Sequence, residues 1–363
     1  MSVVYKKCIG CGACESICPQ HCIKIVKNSN GFYVANYDKT KCVRCDLCKK
    51  ICPKDELDVN NNIVIYAAKN KNTITRKNSS SGGVFPEIAK YYIKKGCIVG
   101  AIFNNKLEIE HAIIDNIKDL KKLNGAKYAQ SNLKNVFRQI RDKLINNQCV
   151  LFSGTPCQCN ALKKYLKFLK IDTTNLVICD VICHGAPSYL NLKKYIDYQE
   201  KINNESIIKI NFRHKNNESI QNIKIDFTNK TYISKPRDDI YYYSFFKGYN
   251  FMNNCYKCKF ASFKRCGDLT LGDFWGCDKN YDTFYDEKGI SLVLVNTKKG
   301  NDLFRKICDN FNYIEVDKDK CIQPSLVEPI KKPTDNEEFK KMLQRNYDKV
   351  VRFIGEKNGK NKI

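Results

Sequence analysis

Two runs of cysteines near the start of the chain constrain its fold more than any other feature. The first run is Cys8-x-x-Cys11-x-x-Cys14-x-x-x-Cys18-Pro19, and the second is Cys42-x-x-Cys45-x-x-Cys48-x-x-x-Cys52-Pro53. Each cysteine of the first run recurs at the same offset in the second, from 8 to 42, 11 to 45, 14 to 48 and 18 to 52. Unrelated clusters would not keep one offset throughout, so this stretch is an internal duplication.

This spacing is typical of the bacterial ferredoxin unit, in which three close thiolates hold one iron–sulfur cube and the fourth, before proline, crosses to the other cube. The pattern predicts one [4Fe–4S] cluster on Cys8, Cys11, Cys14 and Cys52, and a second on Cys42, Cys45, Cys48 and Cys18. Zinc sites and disulfides are the alternatives, but zinc favours separated Cys-x-x-Cys pairs or His partners. Cys22 is left over, and we expect it to pack as a small apolar residue.

Composition limits the class of protein. A chain of 363 residues that is 43% hydrophobic can bury a sizeable core and suggests two or three domains. The first predicted ligand follows Met1 within seven residues, so we expect no cleaved leader. No run approaches the ~18 apolar residues of a membrane span. We therefore expect a cytoplasmic protein whose 21 cysteines are reduced, several of them bound to metal.

The formal net charge of +25 argues for nucleic-acid binding less strongly than its size suggests. Each [4Fe–4S] cube with four thiolates contributes about −2 that the formal count omits. The lysines are also spread along the whole chain. A solvated basic surface is the simplest interpretation, an acidic electron-carrier protein is the partner that this charge would favour, and we expect no nucleic-acid partner.

After a polar connector with one short apolar strand, residues 63–67, the chain alternates between strands and helices, which indicates an α/β body. Strands are predicted at residues 97–103, 108–115, 149–153, 176–182, 207–213, 220–227, 231–234 and 291–296, and helices at 84–95, 133–146, 160–170, 189–202 and 301–311. The final stretch, residues 337–360, is predicted to be a basic helix that frays into solvent.

Two loops of the body are candidates for ligand binding. Ser79-Ser80-Ser81-Gly82-Gly83 precedes a helix, where free backbone N–H groups could hold a flavin or nucleotide phosphate, although an ordinary capped helix start is an equal alternative. Gly154-Thr155-Pro156-Cys157-Gln158 follows a strand at the edge where α/β sheets bind ligands.

A further metal site is suggested by the cysteines outside the duplicated runs. Cys157, Cys183 and the Cys255/Cys258 pair fall at predicted strand ends or in loops and could converge on one cube. Spacing alone leaves this open, since Cys159, Cys179 and Cys266 compete as ligands and single buried thiols are the simpler alternative.

Seven short motifs of the body fall in the order seen in one family. They are Ser81-Gly82-Gly83, Lys127-Tyr128, Thr155-Pro156-Cys157-Gln158, Cys183-His184-Gly185, Asn211-Phe212-Arg213, Cys255-x-x-Cys258 and Gly272-Asp273-Phe274-Trp275-Gly276. With them the chain resembles the family of coenzyme F420 hydrogenase/dehydrogenase beta subunits, in the form with an N-terminal two-cluster ferredoxin domain, from about residue 8 to 324. The archaeal members are short subunits that receive electrons from a hydrogenase partner, and this chain departs from them by carrying its own ferredoxin unit.

The resemblance implies an α+β ferredoxin-like 2[4Fe–4S] domain followed by an α/β flavin-binding body. The implied ranges are 1–60 for the ferredoxin domain, 61–78 for a linker, 79–185 for the flavin-binding domain, 186–330 for a C-terminal domain with a third cluster, and 331–363 for a basic tail. The third [4Fe–4S] cluster would be held by Cys157, Cys183, Cys255 and Cys258. FAD would be contacted by Gly82, Gly83, Lys127, Tyr128, Gln130, Ser131, Thr155, Arg213 and Lys215.

The function expected from this resemblance is that of an iron–sulfur flavoprotein oxidoreductase. Electrons from reduced ferredoxin or a similar donor would reach FAD, which can release them as hydride to a small-molecule acceptor such as coenzyme F420. His184 could supply a proton, although a histidine there could equally hydrogen-bond only to backbone. Two alternatives stay open: an electron-transfer subunit of a larger hydrogenase/dehydrogenase complex with no substrate of its own, and a non-enzymatic redox or iron sensor.

Overall fold

The duplicated cysteine runs fold into a small α+β unit, which we call the head. In the computed structural model, which describes residues 2–3, 8–53, 57–216 and 219–359, strands β1 (Ser2–Val3), β2 (Ile23–Lys27) and β3 (Tyr33–Tyr37) form an antiparallel sheet of order β1-β3-β2. Helix α1 (Ala13–Ile17) lies in the first run and helix α2 (Leu47–Lys50) in the second. The predicted α+β fold of the head is confirmed.

The body is built on a large mixed sheet. Its chain continues through strands β4 (Val64–Asn70), β5 (Gly96–Phe103), β6 (Ile109–Ile114), β7 (Cys149–Gly154), β8 (Leu176–Val181), β9 (Ile207–His214), β10 (Asn222–Phe227), β11 (Thr231–Ser234), β12 (Leu269–Asp273), β13 (Ser291–Val295) and β14 (Phe311–Glu315). Eight of these strands pair in the order β14-β4-β13-β12-β8-β7-β5-β6. The pairs β5/β7, β7/β8 and β8/β12 are parallel, and the outer pairs are antiparallel.

Helices cover both faces of this sheet. They are α3 (Thr73–Lys77), α4 (Val84–Ile93), α5 (Val136–Ile145), α6 (Pro156–Phe168), α7 (Tyr189–Asn203), α8 (Ile240–Lys247), α9 (Cys277–Asn280), α10 (Lys298–Ile307), α11 (Asn336–Arg345) and α12 (Tyr347–Lys357). In β7, Phe152 belongs to a core shared with α5, α6 and the head, whereas Leu151 belongs to a core shared with α4 and α10. Successive strand residues point to opposite faces, so the body has the predicted α/β architecture, and the head lies on the α5/α6 face.

A smaller antiparallel sheet of order β11-β10-β9 packs beside the large one. Its buried residues share a core with α7, α8, α11 and α12, including Phe212, Tyr241, Phe339 and Val350. The prediction of a C-terminal helix that frays into solvent is therefore wrong. The apolar stripes of two helices close this core, because their charged residues occupy only the outer face.

The predicted linker at residues 61–78 is also wrong as a description of this segment. Strand β4 lies inside the large sheet, where it pairs with both β13 and β14, and Ile65, Ala67 and Ala68 are buried. The large sheet takes strands from both predicted body domains, so the boundary near residue 185 does not divide it. Residues 1, 4–7 and 54–56 of the predicted ferredoxin range, 217–218 of the C-terminal domain and 360–363 of the tail lie outside the described residues.

Across the part of the chain that the structure describes, no helix combines the length and apolar character needed to cross a membrane.

Candidate iron–sulfur and cofactor sites

The first predicted set of ligands lines one cavity in the head. That cavity is bounded by Cys8, Cys11, Cys14 and Cys52, together with Ile25, Ala35 and Pro53 among others. The backbone N–H groups of Gly10 and Ala35 donate to Cys8 Sγ at 3.4 and 3.3 Å. Burial, followed by the charges of Cys8 and Cys52, raises the pKa of Cys14. The four thiols therefore share one apolar enclosure, where bound iron would compensate the negative charge of their thiolates.

The second predicted set is more open. Cys18 is buried, Cys42 and Cys48 are half-buried, and Cys45 is exposed. Cys22 lies in this region as well: its Sγ is 3.4 Å from Cys18 Sγ, and burial together with contacts to Cys18 and Cys42 raises its pKa. The sequence analysis expected Cys22 only to fill apolar space, and its contact with a predicted ligand is a feature that spacing does not reveal.

The four cysteines of the predicted body set come together from separate elements. Cys157 lies at the start of α6, Cys183 follows β8, and Cys255 and Cys258 flank a short 3₁₀ turn. Burial raises the pKa of Cys157 and of Cys255 to about 12, and neighbouring thiols of the set raise both further. The pKa of Cys183 is raised by burial and then by Cys255, Cys157 and Cys258. Thiols that disfavour one another's ionisation lie close together.

The competing cysteines have other contacts. Cys266 Sγ donates to the carbonyl of Pro156 at 3.1 Å and lies 3.4 Å from Asp180. Cys159 Sγ donates to the carbonyl of Gly154 at 3.6 Å. Cys179 is buried within β8. Hydrogen-bonded thiols of this kind are consistent with packing roles.

No group of three or more His, Cys, Asp or Glu side chains is arranged to hold a metal ion, within the residues that the structure describes. A cube spaces its ligands differently from a single ion, because each thiolate binds a different iron. The donor chemistry, an all-cysteine enclosure in the head and a second convergence of four thiols in the body, fits four-iron clusters at both places.

Gln130 holds the head against the body. Its Oε1 accepts a hydrogen bond from Tyr33 N–H at 2.8 Å, and its Nε2 donates to the carbonyls of Tyr33 at 3.0 Å and Ile9 at 3.2 Å. Its own backbone N–H donates to the carbonyl of Pro187 at 2.9 Å, in the loop after Cys183. The resemblance places Gln130 at the flavin, but its side chain instead joins the first cysteine loop to the body.

Ser131 and Thr155, two other predicted flavin contacts, belong to a polar network beside the body cysteines. Ser131 Oγ is 2.9 Å from His111 Nδ1 and accepts from Gln158 Nε2 at 3.0 Å. Thr155 caps α6 in a reciprocal arrangement with Gln158, and its Oγ1 is 3.2 Å from Cys157 Sγ. These contacts organise the loop that carries a predicted cluster ligand.

Buried positive charge gathers where the Ser81-Gly82-Gly83 segment meets β9. Lys215 Nζ donates to the carbonyls of Arg76, Ser81 and Lys288 at 2.9, 2.5 and 2.8 Å. Burial, and then Arg213 and Arg76, lowers the pKa of Lys215 to about 7. Arg76 donates to Asp286 at 2.8 Å, but its Nη2 is buried with no hydrogen-bond partner among the described residues. An unsatisfied guanidinium N–H is costly, so this cationic group fits an anion such as a phosphate.

The two glycines differ in what they do there. Gly83 begins α4 with a φ of 86°, in the left-handed region that favours glycine. A Cβ on Gly82 would lie 2.2 Å from the carbonyl oxygen of Ala68, and its N–H donates to Ser291 Oγ at 2.9 Å. Close packing on the sheet therefore accounts for Gly82 without a ligand.

Lys127, Tyr128 and Arg213 also have protein partners. Lys127 Nζ is held by four backbone carbonyls of residues 122–125 at 2.9–3.1 Å, and burial lowers its pKa to about 7. Arg213 forms a two-bond ion pair with Asp273 at 2.6 and 3.1 Å and donates to Tyr128 Oη at 3.3 Å. The ring of Tyr128 stacks on Phe245 with a centroid separation of 4.3 Å.

His184 makes a backbone contact, which was the alternative to a catalytic role. Its Nε2 is 3.3 Å from the carbonyl oxygen of Phe246, and burial lowers its pKa. Its ring lies 5.2 Å from that of Phe245. Sequence reasoning missed Arg76, whose position before the serine and glycine segment carries no motif; Asp273, in contrast, stands within a motif that was quoted.

Fold and donor set together define an iron–sulfur protein with a ferredoxin-type head on an α/β body. Its sequence matches a 4Fe–4S dicluster domain over residues 7–55. It also matches the profile of the coenzyme F420 hydrogenase/dehydrogenase beta subunit, the N-terminal part over residues 65–138 and the C-terminal part over 147–320. The chain belongs to the family of coenzyme F420 hydrogenase/dehydrogenase beta subunits, as its motifs predicted.

Two known proteins illustrate this similarity. The F(420)H(2) dehydrogenase of Methanosarcina mazei has a subunit that is 25% identical over 223 residues, which are 56% of this chain and 61% of that protein. The match thus spans about three fifths of the curated relative. A chain of the F420-reducing [NiFe] hydrogenase complex from Methanosarcina barkeri, solved in a xenon derivatization study, superimposes with a TM-score of 0.50 over 82% of this chain and 93% of that one, at 16% identity. At this identity the likeness shows the fold alone.

Proposed function

We propose that this protein is an iron–sulfur flavoprotein oxidoreductase that moves electrons between a one-electron donor, such as reduced ferredoxin, and a small-molecule hydride acceptor of the deazaflavin type. A series of contacts from the head to the buried cations supports it. Cys8 and Cys255 pack against one small core that contains Met252, and Cys183 is followed by His184, which contacts Phe245.

The series continues from Phe245 to the ring of Tyr128 and from its hydroxyl to Arg213, which is bound to Asp273. When bound, [4Fe–4S] clusters carry single electrons, and a flavin accepts electrons singly and releases a pair as hydride. The chain's own residues would supply the rest. Twelve cysteines would hold three clusters, Gln130 would fix the head, and Arg76 and Lys215 would stabilise the phosphates of FAD.

A second candidate is an electron-transfer subunit without a substrate of its own. The names of the two relatives favour it, since one is a dehydrogenase subunit and the other belongs to a hydrogenase complex. The same cysteines would serve in both cases, and only the acceptor differs.

Anaerobic reconstitution followed by turnover assays separates these candidates. We expect about twelve irons per chain, from three four-iron clusters, and one FAD. The reduced chain, purified alone, should then be oxidised catalytically by a deazaflavin, whereas nicotinamide and quinone serve as comparison acceptors. Full cofactor content without turnover of any acceptor would favour the second candidate, and a protein with clusters but no flavin would leave only the sensor.

Cys157→Ala tests the ligands of the body directly. The variant should lose one cluster signal in electron paramagnetic resonance while the two head signals persist. Cys179→Ala, which removes a buried thiol outside the set, should leave all three. If the Cys157 variant keeps three unchanged signals, the assignment of the body set is wrong.

A further inference from the structure

The duplication gives each residue of the first cysteine loop a counterpart in the second, at the offset of the cysteines themselves. Gly10 corresponds to Arg44 and Gly12 to Asp46. All four have positive φ angles, 66° and 55° for the first pair and 74° and 58° for the second. The two loops therefore share a backbone conformation, and a surface on one has an equivalent on the other.

The first loop is covered by the body. A Cβ on Gly10 would lie 2.6 Å from Gln130 Nε2, and one on Gly12 would lie 3.3 Å from the carbonyl oxygen of Lys134. Arg138 Nε donates to the carbonyl of Ser16 at 2.7 Å. Cys11, the ligand in the middle of this loop, is 8% exposed.

The equivalent face of the second loop is open to solvent. Cys45 is exposed, and Val43 beside it is 60% exposed. The residues around them are mostly basic and exposed: Lys39, Lys41, Arg44, Lys49 and Lys50. We call this surface, with Val43 and Cys45, the second-loop face.

Positive charge on the second-loop face exceeds what its acids neutralise. Lys41 lies 4.0 Å from Asp38, and Lys49 lies 2.7 Å from Asp46. Lys39, Arg44 and Lys50 have no ion-pair partner within the described ranges. An exposed cation without a partner contributes little to folding but attracts a negatively charged molecule at long range.

We propose that the second-loop face docks a small acidic one-electron carrier protein, at a position equivalent to the one where the first loop meets the body. This rests on the proposed function, because the face matters only if electrons arrive through the head. An acidic protein fits the cations of this face, and Val43 with Cys45 supplies the small apolar centre that a weak, transient redox contact requires. A second copy of this chain does not fit, since its net charge of +25 would repel the face.

Binding of a purified acidic [2Fe–2S] ferredoxin to the reconstituted full chain tests this directly. Arg44→Glu/Lys50→Glu should weaken the dissociation constant roughly tenfold at low salt, since it removes two attractions and adds two repulsions, and should flatten its salt dependence. Lys349→Glu/Arg352→Glu is the matched control: both residues are exposed on α12, and the change in net charge is the same. We expect less than about a twofold effect there.

A second variant, Lys39→Glu/Lys50→Glu, leaves the positive φ of Arg44 untouched and should give the same loss of binding. Equal loss in the control variant, absence of ferredoxin binding by the unaltered chain, or a preference of the face for duplex DNA would each overturn the proposal. Reduction by dithionite and a viologen does not use the face, so it should be unchanged in every variant. Failure of that reaction in the unaltered chain would count against the proposed function, while the binding measurement would still decide the docking site.

Discussion

The two cysteine loops of the head follow one sequence pattern and one backbone path, yet they have opposite surroundings. The first carries Gly10 and Gly12 and lies under the body, whereas the second carries Arg44 and Asp46 at the same positions and faces solvent. The difference teaches that the metal-binding pattern fixes the backbone, while the neighbours of each loop fix its side chains. Left-handed φ costs roughly 1–2 kcal/mol in a residue with a Cβ, and only the open loop has room for that Cβ.

Gly10→Ala should have the largest effect on this contrast. The new Cβ would lie 2.2 Å from the carbonyl oxygen of Tyr33, in addition to the positive φ. We expect the opening free energy of the head to fall by roughly 2–5 kcal/mol, measured by hydrogen exchange of the β3 amides. Arg44→Ala, at the equivalent position, should change it by less than about 0.5 kcal/mol. Equal losses would mean that the loops are not distinguished by crowding.

Gln130→Ala should loosen the junction between the first loop and the body. The variant leaves the buried N–H and carbonyl of Tyr33 without partners, which should cost about 2 kcal/mol and accelerate exchange at Tyr33 but not in the second loop. Gln344→Ala is the control, because Gln344 also contacts the head, at Asn30 with 2.8 Å, but is exposed. A faster exchange in both loops would show that the head opens as one unit.

Acid should weaken the same junction through His111. Burial, as the main cause, lowers the pKa of His111 from 6.5 to about 4, and nearby Lys127 lowers it too. The neutral ring is therefore stabilising above pH 6.5, and its contribution is lost as the pH falls from 6.5 towards 4, at about 1.4 kcal/mol per pH unit. Unfolding free energies of the parent and of His111→Gln, measured across this range, should differ in slope. Parallel curves would contradict the prediction.

Arg44→Gly should give the smallest effect, a gain. Glycine adopts the φ of 55° without strain, although its unfolded chain is more flexible, so we expect a stabilisation of about 0.5–1 kcal/mol. Thermal unfolding of the reconstituted protein would measure it. A loss of stability would indicate that the Arg44 side chain makes a stabilising contact in solution.

The head could be predicted closely because its ligands are near one another in sequence. Turns of two residues bring Cys8, Cys11 and Cys14 towards one centre, and the duplication supplies the partner run. The strand β4 could not be found in this way. Its neighbours in the sheet are β13 and β14, more than half the chain away, and the same short apolar segment with polar flanks is typical of connectors as well.

Other errors have physical reasons that local patterns do not carry. The two C-terminal helices are charged on one face, and their apolar stripe became evident only with Phe339 and Val350 in a core with α7 and α8. Gln130 stands two residues after Tyr128 in a quoted motif region, but its side chain turns to the head. The position of the head relative to the body decides this contact, and no motif records that position.

Local covalent geometry let the sequence by itself determine the paired cysteine loops, the α/β alternation and the family. Only the tertiary structure decided which loop lies covered and which lies open, because that depends on contacts between residues far apart in the chain, as when Gln130 reaches Ile9 and Tyr33. The same holds for the convergence of Cys157, Cys183, Cys255 and Cys258. Strand order brings these thiols together, and strand order is a property of the whole sheet.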